Sequence, residues 1–142
     1  MDTFTFKIVT PERVVFEARV TQVTLPTQMG EITVLPHHIP MVGVAVPGEV
    51  MFHDEQGATQ TLALSGGFIQ VHPDKLVILA DTAEMAHEIS EARALEAHER
   101  AKKLLEAKQG MRDKDYAALK VIMDRELARL KVARKYKQRR TP

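Results

Sequence analysis

The stretch that decides how this chain is organised runs from Glu88 to Arg140 and reads EISEARALEAHERAKKLLEAKQGMRDKDYAALKVIMDRELARLKVARKYKQRR. It contains no proline and a single glycine, Gly110, and it is dense in Ala, Leu, Glu, Lys and Arg, the strongest helix formers. Residues 88–142 carry sixteen Lys and Arg against nine Asp and Glu, whereas residues 1–87 carry four against ten. This contrast predicts one domain over 1–87 and a basic helical domain over 88–142 whose partner is acidic.

Periodic stripes in the helical region predict an antiparallel hairpin. The residues that recur mainly every three to five positions are Ile89, Ala92, Ala97, Ala101, Leu104 and Lys108 in the first helix and Tyr116, Leu119, Met123, Leu127, Leu130 and Ala133 in the second. Gly110 suits the end of the first helix, and Asp113 or Asp115 suits the start of the second. Because an Ala-rich stripe buries little apolar area, we expect a marginally stable hairpin that can act as a movable arm.

Residues 1–87 show the alternation and the turn spacing of β structure. Phe4, Phe6 and Ile8 alternate with polar residues, which predicts a strand with one buried face. Turn signals recur about every 8–12 residues, as in a sandwich or barrel, and the run from Val14 to Leu25 is interpreted as two short strands. The predicted fold class is therefore α+β, with an N-terminal β-sandwich, a link over 81–88 and a C-terminal antiparallel two-helix hairpin.

The sequence offers little support for an enzyme or for a metal site. It contains no Cys, which excludes disulfides and thiolate ligands together. Its six His residues lack the spacing of metal ligands, and Ser65-Gly66-Gly67 lacks the flanking pattern of a nucleophile elbow or a phosphate loop, so it predicts a turn or a close backbone contact. No apolar run is long enough for a membrane span and no targeting pattern opens the chain, which favours a soluble protein kept in the cytosol.

Several ordered segments resemble one known family. They are Gly30-Glu31-Ile32-Thr33-Val34-Leu35-Pro36-x-His38-x-Pro40, Leu64-Ser65-Gly66-Gly67-Phe68 with Val71-x-Pro73, Val77-x-Leu79-Ala80-Asp81-Thr82-Ala83, and Glu91-Ala92-Arg93-Ala94-x-Glu96-Ala97 with Asp115-Tyr116. Together they are similar to the epsilon subunit of bacterial F-type ATP synthases. The resemblance implies a ten-stranded sandwich, two antiparallel helices and a non-catalytic place in the rotating central stalk. It also implies that the sandwich binds the gamma subunit and the c-subunit ring, at the cytoplasmic face of the bacterial inner membrane, without inserting into it and without a required cofactor.

The resemblance further implies a contact with the polar loops of the c ring through the segment that contains Glu31, His37 and His38. His37 stands where the family usually has Gly, so the backbone turn at this position is expected to differ slightly. The alternative is that Glu31 is simply the carboxylate of a turn.

The second helix ends in a strongly basic segment. Six of the ten residues in 131–140 are cationic, namely Lys131, Arg134, Lys135, Lys137, Arg139 and Arg140. In the family that the chain resembles, the helical tail can extend along gamma into the catalytic head and slow ATP hydrolysis, and the beta subunit presents an acidic loop. We therefore predict that these cations contact the beta subunit, in a salt-sensitive way because they are exposed. The alternative is a solvated, frayed helix end whose cations suit the helix dipole.

Regulatory binding of ATP is a further property that the resemblance suggests. Some bacterial relatives that bind nucleotide carry Ile/Leu-Asp-x-x-Arg-Ala, and here the stretch is Ile89-Ser90-Glu91-Ala92-Arg93-Ala94, with Ser90 in place of the carboxylate. An antiparallel hairpin brings arginines of the two helices level with one another, and guanidinium groups bind phosphates bidentately. The predicted nucleotide-binding residues are Glu84, Arg93, Arg100, Arg125 and Arg129. The alternative is that Glu96, four residues before Arg100, and other acids neutralise these cations without a ligand.

A function of another class is a β-domain adaptor whose basic helical tail binds nucleic acid, since a net charge of +7 over residues 88–142 attracts a polyanion. Against it, the tail offers only Tyr116 and Tyr136 for stacking on bases, and no groove-reading motif is present. A stand-alone coiled-coil dimer is disfavoured because Gly110 interrupts short heptads. The sequence therefore favours a rotor subunit that couples the c ring to the catalytic head and inhibits ATP hydrolysis through its C-terminal helices.

Overall fold

The computed structural model describes residues 2–107 and 112–140, except for the side chain of Arg140. Nine strands lead through one 3-10 turn at Ala86–Glu88 into two helices. The strands are β1 (Phe4–Val9), β2 (Val14–Thr27), β3 (Gly30–Val34), β4 (Met41–Ala45), β5 (Gly48–Asp54), β6 (Thr59–Leu64), β7 (Gly67–Val71), β8 (Lys75–Ala80) and β9 (Ala83–Met85), and the helices are α1 (Glu91–Ala107) and α2 (Asp113–Arg140).

Strand β1 shows why the N-terminal region folds around one core. Phe4, Phe6 and Ile8 are buried and the residues between them are half-buried, so the predicted alternation is confirmed. Phe6 packs against Phe16 of β2 and Phe52 of β5, with ring centroids 5.6 and 5.5 Å apart, and the centroids of Phe16 and Phe52 are 4.8 Å apart. Tilted and edge-on ring pairs are favourable beyond the apolar area that they bury. These three rings therefore tie three strands into one core.

Strand β2 joins the layers of the sandwich. The sequence predicts two short strands in this region, but the structure has one strand of 14 residues. Its first half pairs with β1, and its second half pairs with β3 and β5. The register with β5 shifts between Val20 and Gln22, and such a bulge lets a strand bend and change partners without ending. The described part of the chain thus has nine strands where the resemblance implies ten.

The strand order is β1-β8-β7-β4-β2-β5-β6-β9, with β3 paired to β2 and a further pairing between β1 and β2. Strand β1 lies parallel to β8, and β7 pairs antiparallel with both β4 and β8. One face of β4, β7 and β8 covers the core, and the other face of these strands points outward.

The segment Ser65-Gly66-Gly67 leads from β6 into β7 and has a structural role. Gly67 has a φ of +153°, and a Cβ at this position would overlap the backbone carbonyl of Leu79. The predicted close backbone contact is therefore confirmed, and only glycine satisfies it. The hydroxyl of Ser65 accepts a hydrogen bond from the N–H of Thr82 at 2.8 Å and donates to the Thr82 carbonyl at 3.2 Å, so it fixes the loop after β8.

Helix α2 joins the helical hairpin to one edge of the sandwich. Residues 81–88, predicted as a link, contain β9, which pairs with β6 at the end of the sheet, followed by the 3-10 turn. Helix α2 lies against β5 and β6, and a small second core of Ala63, Ala86 and Val132 joins the helix to the sheet, with Ile89 and Tyr136 packed against it. The link is therefore an ordered edge of the sandwich on which α2 rests.

The predicted stripe of α1 is only partly confirmed. Ala101 is buried as predicted, but Ala92 and Leu104 are exposed, and Ala94 is buried in their place. The Ala-rich face that meets α2 is thus rotated relative to the prediction, because Ala residues occur on more than one face of this helix and do not define a unique stripe. Lys108 and Gly110 lie outside the described residues.

The predicted stripe of α2 is also partly wrong. Tyr116 and Leu127 are 53% and 38% exposed, although both belong to the predicted stripe. The residues of α2 that are buried are Glu126, Ala128, Leu130, Val132 and Ala133. They cover a wide arc because the C-terminal half of α2 contacts both α1 and the sheet, whereas a stripe for one neighbour is narrower.

Candidate functional site

A cluster of two arginines and two glutamates lies where α2 meets the sheet, and we call it the arginine–glutamate cluster (Glu84, Arg125, Glu126 and Arg129). Glu126 has a side chain that is only 3% exposed, and its Oε2 accepts a hydrogen bond from Nη1 of Arg129 at 2.8 Å. Its other oxygen lies 3.3 Å from Nε of Arg125. Glu84 of β9 contacts Arg129 from the sheet, with Oε2 accepting from Nη2 at 3.2 Å. The cluster therefore connects α2 to β9 through charged groups.

The guanidinium of Arg129 is held between two carboxylates in a partly buried position. Burial alone would lower its pKa, but the hydrogen bonds and charges of Glu126 and Glu84 outweigh that effect and raise the pKa above the ordinary arginine value. Arg129 therefore stays charged at every pH at which the protein is handled. Its Nε lies 2.9 Å from Oε1 of Glu84, close enough for an ion pair but not aligned for a hydrogen bond.

The predicted nucleotide-binding residues are not all brought together. Glu84, Arg125 and Arg129 meet in the arginine–glutamate cluster, whereas Arg100 pairs with Glu96 of its own helix at 3.1 Å and both side chains are exposed. Arg93 is exposed at the start of α1. This pairing of Arg100 with Glu96 is the one expected if acidic residues, and not a nucleotide, neutralise the arginines. Nucleotide binding by these residues stays a prediction.

Ser90 immediately precedes α1, at the position where the resemblance implies a carboxylate in some relatives. Its carbonyl accepts the first helical hydrogen bond, from the N–H of Ala94 at 3.0 Å, and its hydroxyl lies 3.4 Å from the N–H of Arg93. Ser is among the preferred residues for this position at the start of a helix. Ser90 therefore keeps the capping function of an Asp while removing its negative charge.

The basic end of α2 lies on acidic residues of the same chain. Nε of Arg134 is 3.1 Å from Oε1 of Glu91 in α1, and Nζ of Lys135 is 2.5 Å from Oε2 of Glu49 in β5. The helix continues to residue 140, and the cations of this segment whose side chains the structure describes are exposed, so a solvated helix end stays an alternative. Of the remaining predicted cations, Lys131 is exposed and Lys137 lines a cavity. Nη2 of Arg139 lies 3.9 Å from Sδ of Met51. The side chain of Arg140 lies outside the described residues.

A cavity of about 420 Å³ lies beside the contact between the 3-10 turn and the last turns of α2. It is lined by Ala86, His87, Ile89, Glu91, Ala133, Tyr136 and Lys137. The packing of the end of α2 on the sheet is therefore incomplete on this side. Within the described ranges, no three His, Asp or Glu side chains are grouped so as to hold a metal ion, and no helix combines the length and the hydropathy of a membrane span.

The predicted c-ring residues lie at one end of the sandwich. Glu31 is exposed next to the turn between β2 and β3, and it stands opposite Pro26 in their pairing. His38 donates through Nδ1 to the carbonyl of Ile39 at 2.7 Å. His37 has a φ of +65°, and it is the one residue other than glycine with a positive φ among those described. It therefore has a left-handed conformation that glycine adopts readily and that other residues adopt rarely.

An exposed apolar row crosses the outer face of the sandwich, and sequence reasoning missed it. Val44 of β4 stands opposite Phe68 of β7, and Phe68 stands opposite Leu79 of β8. These side chains are 37%, 64% and 44% exposed. We call Val44, Phe68 and Leu79 the apolar row. The signal that could have revealed it is the presence of apolar residues at outward positions of strands whose inward positions are apolar as well.

Comparison with known proteins gives a consistent family. Residues 3–86 match the family model described as ATP synthase, Delta/Epsilon chain, beta-sandwich domain. The chain is 47% identical over 109 residues to the ATP synthase epsilon chain of Anoxybacillus flavithermus, covering 77% of this chain and 81% of the relative. It is 41% identical over 132 residues to the epsilon chain of Herpetosiphon aurantiacus, covering 90% of this chain and 92% of the relative. The epsilon chain of Moorella thermoacetica is 39% identical over 134 residues, covering 94% and 98%.

Solved structures with a similar fold come from mitochondrial ATP synthases. One is a chain of the Euglena gracilis enzyme, in a structure of OSCP, F1 and c-ring, with a TM-score of 0.76 at 19% identity, covering 96% of this chain and 81% of that chain. Another is a chain of the Tetrahymena thermophila central stalk and c-ring, with a TM-score of 0.57 at 14% identity, covering 93% and 97%. These likenesses concern the fold, whereas the curated relatives establish the family. The chain belongs to the delta/epsilon chain family of ATP synthase, as an epsilon-type, non-catalytic subunit.

Proposed function

We propose that this chain is a rotor subunit of the central stalk of a proton-translocating ATP synthase, at the cytoplasmic face of the membrane that holds the complex. In this proposal the sandwich binds the gamma subunit and the c ring, and the helical hairpin inhibits ATP hydrolysis by contacting the catalytic beta subunit. The family membership of the chain supports this function over the nucleic-acid adaptor that its basic tail also suggested.

The observation that carries the structural role is the apolar row. Three large apolar side chains from adjacent strands lie side by side on a face that neither helix covers among the described contacts. Contiguous exposed apolar surface of this kind marks a protein interface. The row belongs to the sheet and not to the helical hairpin, which we propose moves. A surface on the sheet therefore suits a permanent partner such as gamma.

The proposed contact with the c ring uses the polar end of the sandwich. Glu31 is exposed there and His38 is half-buried, and Met29 and Ile39 in the same region are 95% and 74% exposed. The turn that carries Met29 is fixed because the hydroxyl of Thr27 donates to the carbonyl of Gly30 at 2.6 Å. A fixed tip of mixed polarity is suited to the polar loops of a ring of small subunits.

The apolar row gives a direct test of gamma binding. We expect Phe68→Asp to weaken binding of the full chain to purified gamma by about thirtyfold or more, because it removes a central aromatic contact and places a carboxylate in an apolar interface. Calorimetric titration of gamma with the wild type and with Phe68→Asp measures the change in affinity. Met29→Asp is the matched control, since it adds the same charge at a more exposed apolar site outside the row, and it should bind gamma like the wild type. Equal binding by Phe68→Asp and the wild type would contradict the role of the row.

The ion pairs of α2 support the proposed inhibition. Arg134 and Lys135 are each more than half exposed in their pairs with Glu91 and Glu49, and such pairs are worth at most about 1 kcal/mol each. An acidic surface on another subunit can replace these partners at little cost in free energy. Glu49 of the sandwich and Glu91 of α1 therefore hold the basic end of α2 when the hairpin is docked, and they release it when a stronger acidic partner is near.

A further inference from the structure

Strand β4 has one edge that is almost unpaired. Along its other edge, all five residues of Met41–Ala45 pair with β7 in an antiparallel register. On the open edge, the described part of the chain offers a single pairing, in which Thr27 of β2 stands opposite Ala45. The open edge of β4 is therefore the stretch from Met41 to Val44, before β2 reaches it.

One hydrogen bond shows which backbone groups face the open edge. The carbonyl of Val44 accepts from the N–H of Gln28 at 3.1 Å, so the backbone groups of Val44 point away from β7. Because alternate residues of a strand direct their backbone groups to the same side, those of Val42 point away from β7 as well. No described backbone group bonds the N–H or the carbonyl of Val42, or the N–H of Val44. The open edge therefore offers two donors and one acceptor.

The open edge also lacks the features that usually protect a strand edge, which are charged side chains, prolines and bulges. Met41–Ala45 contains no charged residue and no proline, and its register with β7 has no shift. In contrast, β3 carries the exposed Glu31, and Arg129 of α2 contacts Glu84 of the short strand β9. Strand β4 is therefore open to pairing with a further strand.

An apolar surface adjoins the open edge. Val42 is 79% exposed, and it lies on the same outer face as Val44 of the apolar row, two residues further along β4. A cavity of about 340 Å³ borders the start of β4 and is lined by Pro40, Met41, Val42, Gln70, Val71 and His72. The open edge and the apolar row thus form one continuous surface, with room for an apolar side chain at its end.

We propose that the open edge of β4 is the docking site of an extended segment of the gamma subunit, which adds a strand to the sheet while gamma also covers the apolar row. The added strand pairs with the backbone groups of Val42 and Val44, and one of its apolar side chains enters the cavity. A second copy of this chain fits less well, because two β4 edges joined side by side extend the sheet and leave both apolar rows uncovered. The inference rests on the proposed binding of gamma through the apolar row.

Val42→Pro tests the open edge, because it removes an N–H that β7 does not use, and proline is tolerated at such edge positions. The matched control is Val42→Ala, which shortens the side chain further than proline does but keeps the N–H. In calorimetric titrations of purified gamma with the full chain, we expect Val42→Pro to bind at least about tenfold more weakly than Val42→Ala, since a carbonyl of gamma loses its donor.

Amide hydrogen exchange in the wild type gives a second readout that needs no substitution. The N–H groups of Val42 and Val44 should exchange rapidly in the free chain and at least about tenfold more slowly in its complex with gamma. Equal affinities of Val42→Pro and Val42→Ala, or exchange at these amides that gamma leaves unchanged, would overturn the inference. If Val42→Pro does not fold, the exchange measurement decides alone.

Two further results separate this inference from its alternatives. A free chain that sediments as a dimer, and that Val42→Pro converts to a monomer, would assign the open edge to a second copy and would overturn the inference. If Phe68→Asp weakens gamma binding while Val42→Pro and Val42→Ala bind gamma equally, strand addition is wrong and the proposed binding through the apolar row stands.

Discussion

Deletion of residues 131–142 is expected to raise the rate of ATP hydrolysis by the assembled synthase about fivefold or more. The segment carries six cations, and the loss of an electrostatic contact worth about 1 kcal/mol shifts the inhibited fraction by roughly that factor. Steady-state hydrolysis by membranes or purified enzyme, reconstituted with either form of the chain, measures the effect. The effect should shrink at high salt, because the contacts are exposed.

The deletion also removes Val132 and Ala133, which are buried against the body, so a second variant separates charge from packing. Replacing Lys131 and Lys137 by Glu leaves those two residues in place and should give most of the activation. Lys102→Glu with Lys103→Glu is the matched control, because it makes the same charge change at exposed positions of α1. Equal hydrolysis by the deletion, the charge reversal and the wild type would rule out an inhibitory role for the basic end of α2.

Val132→Asp is expected to release the hairpin from the sandwich while leaving the sandwich folded. Val132 is fully buried in the small core with Ala63 and Ala86, so an unpaired carboxylate there should cost at least about 3 kcal/mol, more than a hundredfold in the docking equilibrium. Amide hydrogen exchange should become more than a hundredfold faster in α2. It should stay slow in β1 and β8, whose core does not include Val132.

Val121→Asp is the matched control for this substitution, because Val121 lies on the same helix and is 57% exposed. It should leave exchange in the C-terminal half of α2 unchanged. In the synthase, Val132→Asp should slow ATP hydrolysis, because a released hairpin is available to inhibit. Exchange that rises equally in the sandwich and in α2 would mean that the two domains unfold as one unit, and it would contradict a movable hairpin.

The sequence predicted the fold class well because each domain has one strong local signal. The alternation of Phe4, Phe6 and Ile8 determines which face of β1 is buried, and the strong helix formers after residue 88 leave little alternative to helix. The merging of two predicted strands into β2 was not predictable, since it depends on partners that change along the strand at the bulge near Val20. The buried face of α1 was uncertain because Ala offers little contrast between faces.

The candidate site was harder to predict, because it depends on distances between elements. Arg125 and Arg129 were correctly grouped from their spacing, but Glu126 was overlooked since a glutamate in a helix is usually exposed. Arg100 was grouped with them although its partner is four residues away on its own helix. The apolar row was missed because Phe68 and Leu79 become neighbours only through strand pairing.

The most direct test of a hairpin that leaves the body is to prevent it from leaving. The chain has no Cys, so Glu49→Cys with Lys135→Cys places two unique thiols at a contact that docks α2 on β5, and a short reducible bis-maleimide can join them. The linked chain in the assembled synthase should hydrolyse ATP as fast as the enzyme lacking residues 131–142, and reduction of the linker should restore the slower rate. Each single Cys variant, treated in the same way, is the control. Hydrolysis that stays at the slow rate while the link is intact would contradict the account.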